Sequence, residues 1–116
     1  MKDHTRRAVA YIAGRAISGK PSGSVFDFSA SQHYFFGGTV HQSQVAVFDY
    51  TQSCHVSGTL ANLFHYGDSH HISLSINGSQ FNGFDYGESC HFSGNVNGNS
   101  ISVFDYGTSQ YYNYSI

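Results

Sequence analysis

Histidine recurs in one context along this chain: Ser31-Gln32-His33, Ser53-Cys54-His55, Ser69-His70-His71 and Ser89-Cys90-His91, with Ser109-Gln110-Tyr111 closing the series. Imidazoles gathered in a column suit metal ligation, hydrogen bonding to a sugar or the binding of an acidic ligand. The residues that follow alternate. His55, Ser57 and Thr59, then His71, Ser73 and Ser75, then His91, Ser93 and Asn95 share one parity. Val56, Gly58 and Leu60, then Ile72, Leu74 and Ile76, then Phe92, Gly94 and Val96 share the other. A period of two puts these sets on opposite faces of a strand, so the polar set forms a candidate binding face in solvent. Residue type alone does not build a metal geometry, and no metal, cofactor or catalytic residue is assigned. Histidines stacked in water would discourage one another's protonation.

Cys54 and Cys90 stand beside histidines, the pairing a nucleophile and its base require. Neighbours in a strand face opposite ways, so both cysteines are expected in the core as small apolar residues, and no enzyme activity is expected. A tetrapeptide also recurs: Val25-Phe26-Asp27-Phe28, Val47-Phe48-Asp49-Tyr50, Leu63-Phe64-His65-Tyr66, Gly83-Phe84-Asp85-Tyr86 and Val103-Phe104-Asp105-Tyr106. Its Asp column could do acid-base or cation chemistry, but no calcium-loop pattern accompanies it. Stacked carboxylates repel, which predicts a solvated outer edge with His65 relieving the repulsion. Both aromatic columns are expected as core stacks, and burying Val as well as Phe requires a bend between them.

Copies starting at residues 25, 47, 63, 83 and 103 imply a stacked repeat. The expected fold is all-β, a single-domain β-solenoid (β-helix) of about 20-residue coils, because stacking like on like rewards identical residues in each column. An antiparallel β-hairpin repeat sheet or barrel is the alternative. Residues 1–21 read as a short amphipathic capping α-helix and linker. Thr5 is its N-cap, Val9, Ile12, Ala13, Ala16 and Ile17 form its apolar stripe, and Ser18-Gly19-Lys20-Pro21 is its stop. Residues 22–116 hold the repeats.

The chain of 116 residues suits one domain, and its nine Tyr and ten Phe argue against disorder. All five Lys and Arg precede residue 21, whereas six of the seven acids follow it, so the two parts attract each other or other copies. No run is long enough to span a membrane, and the acidic remainder opposes nucleic acid. Two cysteines without a signal peptide suggest the reducing cytoplasm. Tyr112, Tyr114 and Ile116 end the last coil without a cap and form a candidate oligomer interface. The expected role is a non-enzymatic scaffold that self-associates there, as a dimer or end to end. The alternative is a binding module using the His/Ser/Thr face for a carbohydrate, a surface or a protein.

Overall fold

The computed structural model describes residues 1–41 and 44–116. Helix α1 (Asp3–Ser18) comes first, followed by β1 (Ser24–Asp27), β2 (Gln32–His41), β3 (Gln44–Asp49), β4 (Cys54–Thr59) and β5 (Asn62–His65). The remaining strands are β6 (His70–Asn77), β7 (Gln80–Asp85), β8 (Cys90–Asn97), β9 (Ser100–Asp105) and β10 (Gln110–Ser115). Every strand pairs antiparallel with its chain neighbours, and β10 pairs with β1 through Phe26↔Ser115 and Asp27↔Tyr114, closing a ten-strand barrel. The solenoid expectation is therefore wrong and the barrel alternative fits. Five similar hairpins set around a closed barrel place equivalent residues in equivalent surroundings as well as stacked coils do. Column identity therefore could not separate the two folds.

The helix does not cap an end; it fills the lumen. Ten tilted strands about 4.8 Å apart enclose a cylinder roughly 20 Å across, and a helix with side chains about 10 Å across leaves room for one inward layer. Every residue from Thr5 to Gly14 is buried, whichever way it points. Small residues permit this fit. A Cβ at Gly14 would lie 2.6 Å from the Ile101 side chain. Tyr11 stacks on Phe36 with ring centroids 4.6 Å apart. The helix begins two residues before the expected Thr5 cap and ends at Gly19, whose φ of 70° lets its N–H reach the Arg15 carbonyl at 2.9 Å.

Strict alternation governs the strands, with no bend in the tetrapeptide. Val25, Val47, Leu63 and Val103 face the lumen, and Asp27, Asp49, His65, Asp85 and Asp105 are buried two positions later. The Asp column is thus inside, contrary to expectation, because it caps turns. Each of these residues precedes a four-residue loop. The Asp49 carboxylate accepts the N–H groups of Thr51 (3.0 Å) and Gln52 (3.1 Å), Asp85 accepts that of Gly87 (2.9 Å), and Asp105 that of Gly107 (2.8 Å). His65 does the same through Nδ1 for the Asp68 N–H at 3.1 Å. Each loop closes on a serine at positive φ: Ser31, Ser53, Ser69, Ser89 and Ser109, between 50° and 56°. At the other barrel end, two-residue loops join β4 to β5, β6 to β7 and β8 to β9, with Gly78 and Gly98 at positive φ in the last two.

The basic helix is held by this acidic ring, so the two halves of the charge pattern meet within one chain. The buried Arg6 guanidinium donates to Asp105 at 3.1 Å and to the Met1 carbonyl at 2.8 Å, pairs with Asp3, and lies 3.6 Å over the Tyr112 ring. Arg7 pairs with Asp27 at 3.6 Å and lies over Tyr34. The proposed C-terminal edge is consequently occupied. β10 is paired on both sides, Tyr114 is buried, Tyr112 lies under Arg6, and Ile116 packs against the helix at Gly14. The ground for self-association through these residues was a free edge, and closure removes it.

Two predictions follow from the loops and the lumen. An L-residue in the left-handed region costs about 1 kcal/mol, so Ser89→Gly should raise the melting temperature by about 4 °C. Ser89→Val should lower it, and equal melting temperatures for the three proteins would show that the loop carries no strain. Burial opposes ionisation of Asp105, but the Met1 amino group, the Gly107 N–H and Arg6 outweigh it and hold its carboxyl below the usual value. Its contribution is therefore complete above its unfolded value and is lost as pH falls through the lower folded one. Asp105→Asn, which removes the buried carboxylate that faces Arg6 and the Met1 amino group, should cost about 3 kcal/mol near neutrality. Denaturation at a series of pH values should show that gap narrowing below about pH 4. A gap that does not change with pH would contradict the assignment.

Candidate functional site

Inverting the tetrapeptide parity brings the aromatic columns outside. Around the barrel end that carries the four-residue loops, Phe26, Phe48, Phe64, Phe84 and Phe104 point outward and alternate, strand by strand, with His33, His55, His71, His91 and Tyr111. Each Phe meets its cross-strand partner edge to face at 4.7 to 4.9 Å. It also meets the first loop residue, Phe28, Tyr50, Tyr66, Tyr86 or Tyr106, at 4.8 to 5.1 Å. The Phe rings are half-buried beneath these neighbours. The loop rings are 55% to 60% exposed, and Tyr111 is 71% exposed. The columns expected in the core therefore form a girdle on the outer surface.

The histidines are outward, as expected, but they are not a ladder. A Phe-bearing strand separates each from the next, about 9.6 Å away at two strand spacings, so the rings do not stack on one another. The candidate face is divided in the same way. His55, Ser57 and Thr59 lie on β4, His71, Ser73 and Ser75 on β6, and His91, Ser93 and Asn95 on β8, with β5 and β7 between them. β7 between them contributes Asn82 and β9 beyond β8 contributes Ser102, the residues the sequence reading missed. Their signal was present in the sequence, because they share the outward parity of Phe84 and Phe104.

Across β6 to β9 the wall is indented. One hollow of about 300 Å³ is lined by Ser75, Asn82, Ser93, Asn95, Ser102 and Tyr111. Its neighbour of about 450 Å³ is lined by Ser73, Phe84, His91 and Tyr106, and the two share Asn82 and Ser93. Behind this stretch the inward positions Gly83 and Gly94 make room for core rings: a Cβ at Gly94 would lie 2.5 Å from the Phe81 ring, and one at Gly83 would lie 2.6 Å from that of Phe92. The Ser73 hydroxyl oxygen accepts the Phe84 N–H at 3.1 Å and keeps its own hydrogen to donate. The wall is also uncharged. No Lys or Arg follows Lys20, the Asp column is internal, and Asp68 and Glu88 stand in loops.

Inside the same barrel end, one hairpin departs from the others. His4 of α1 bonds Asp68 at 2.6 Å, His70 lies 3.5 Å from the same carboxylate, and His65 packs between the two rings, 5.3 Å from His4 and 5.6 Å from His70. Burial pushes the His65 imidazole below its ordinary value against the pull of Asp68. Burial likewise opposes ionisation of Asp68, but His4 outweighs it and holds the carboxyl low. The cysteines face inward, opposite their histidine neighbours, as expected. Both are free, and burial pushes both thiols up, which disfavours the nucleophilic thiolate. Among the described residues no helix is long and apolar enough to cross a membrane. No known protein family, curated protein or solved structure matches the chain.

Proposed function

We propose that the protein is a non-enzymatic binding module that takes a neutral carbohydrate along its outer wall. The observation that carries this reading is the meeting of exposed aromatic rings with an uncharged wall of Ser and Asn over one indented stretch, β6 to β9. A sugar presents an apolar face of C–H groups edged by hydroxyls. Tyr106 and Tyr111 supply flat apolar surface with a polar tip, and Asn82, Ser93, Asn95 and Ser102 supply paired donors and acceptors. The wall offers a charged ligand no Lys, Arg, Asp or Glu. The girdle repeats around the barrel, so an extended glycan can engage several aromatic clusters at once, each contact adding through effective concentration.

Screening the protein on an array of neutral and acidic glycans, followed by calorimetry with the best neutral oligosaccharide, tests the reading. Tyr106→Ala and Asn82→Ala should each weaken binding about tenfold, on the order of 1.4 kcal/mol. Both positions are exposed, and their substitution should leave stability within about 0.5 kcal/mol. Tyr50→Ala, outside the indented stretch, should have a smaller effect. An array on which wild type and Tyr106→Ala give the same signal would rule the proposal out.

A further inference from the structure

The five hairpins are near copies, so places where one hairpin breaks the pattern are informative. His65 stands where the other four have Asp. His70 stands where the others have Gln32, Cys54, Cys90 or Gln110. Asp68 occupies a loop position held by Ala30, Gln52, Glu88 and Thr108. All three departures belong to the β5–β6 hairpin, and they meet at one point inside the barrel end, where the helix adds His4. The donor atoms of His4, His65 and Asp68 lie within 4.8 Å of one another. His65 is buried, and His4 and Asp68 are each 17% exposed, so the cluster is enclosed but reachable from solvent.

We propose that His4, His65 and Asp68 form a binding site for a divalent transition metal ion of the zinc type, unconnected with the outer wall. Two imidazoles and one carboxylate are a donor set that zinc accepts, and three protein ligands leave a fourth position for water. Bonds of 2.0 to 2.2 Å in tetrahedral geometry place donor atoms about 3.3 Å apart. Asp68 Oδ2 now lies 2.6 Å from His4 Nε2 and 4.0 Å from His65 Nδ1, so these two pairs need shifts of about 0.7 Å to meet that spacing, and the His4–His65 pair starts from within 4.8 Å. The ion would replace the His4–Asp68 hydrogen bond and draw His65 Nδ1 from the Asp68 N–H it accepts. His70 stands behind the carboxylate, with Nε2 3.5 Å from Asp68 and Nδ1 3.5 Å from the buried Asp85, as an outer partner that orients a ligand. Lys2, 3.7 Å from Asp68 and half exposed, opposes the ion and is free to swing into solvent.

Zinc chloride titrated calorimetrically into the untagged full-length chain tests the site, with cobalt absorption as a readout of coordination. The wild type should bind one ion per chain and melt at a higher temperature when loaded. His4→Gln and Asp68→Asn should each weaken affinity at least about tenfold. Circular dichroism of the metal-free variants checks that they fold. His65→Asp supplies a second variant, because its new side chain already caps the equivalent turn in four hairpins; it should melt close to wild type and bind zinc more weakly. The outer histidines need excluding, so His55→Ala and His91→Ala should leave the titration unchanged. No saturable binding up to about 1 mM free zinc, or affinity lost in the outer variants and kept in His4→Gln and Asp68→Asn, would overturn the proposal.

Discussion

A closed sheet of ten strands encloses more space than its inward side chains fill, and most of the structure depends on how that space is occupied. Here the occupant is the chain's own first segment. A helix in such a place loses solvent on every side, which explains why ordinary amphipathic logic fails for it. From Thr5 to Gly14 its apolar residues and two of its arginines, Arg6 and Arg7, are buried alike. The arginines are tolerable because the barrel supplies what they need at fixed positions: Asp105 and Tyr112 for Arg6, Asp27 and Tyr34 for Arg7. An unpaired buried guanidinium would be very costly, so these partners set the depth and rotation of the helix in the lumen.

The same acidic ring has a second task, which divides inside from outside. Each Asp both faces the lumen and accepts the N–H groups of the loop that follows it, so its parity is fixed by the turn. Once Asp is inside, the Phe before it must be outside, and the loop aromatic lies across that Phe. An exposed aromatic girdle thus follows from turn chemistry repeated five times. The wall beyond it stays polar because the core is already complete without it.

Much of this was legible in the residues. The helix, its glycine stop, the five copies, the outward histidines and the inward cysteines follow from period, capping and parity. Two inferences failed for physical reasons. Likeness within columns suits stacked coils and repeated hairpins alike, whereas the Asn77-Gly78 and Asn97-Gly98 pairs are direct hairpin signals. Hydrophobicity puts Phe inside and carboxylate repulsion puts Asp outside, whereas the strict alternation of strands does the reverse once Val is in the core. The His4–His65–Asp68 cluster was half visible: His65 and Asp68 break the repeat, but nothing in the sequence brings a helix residue to them.

The seam between β1 and β10 carries a final consequence. It is the shortest pairing in the barrel, two residue pairs at Phe26 and Asp27, and it joins strands from opposite ends of the repeat region. The helix likewise touches β8 and β9, far along the chain. Contacts so distant in sequence form late and make folding slow. Until the last hairpin arrives, β1 and β10 are both bare edges, each able to pair with the matching edge of another copy. For this chain the period before closure, rather than the finished barrel, is when it is most exposed to association with itself.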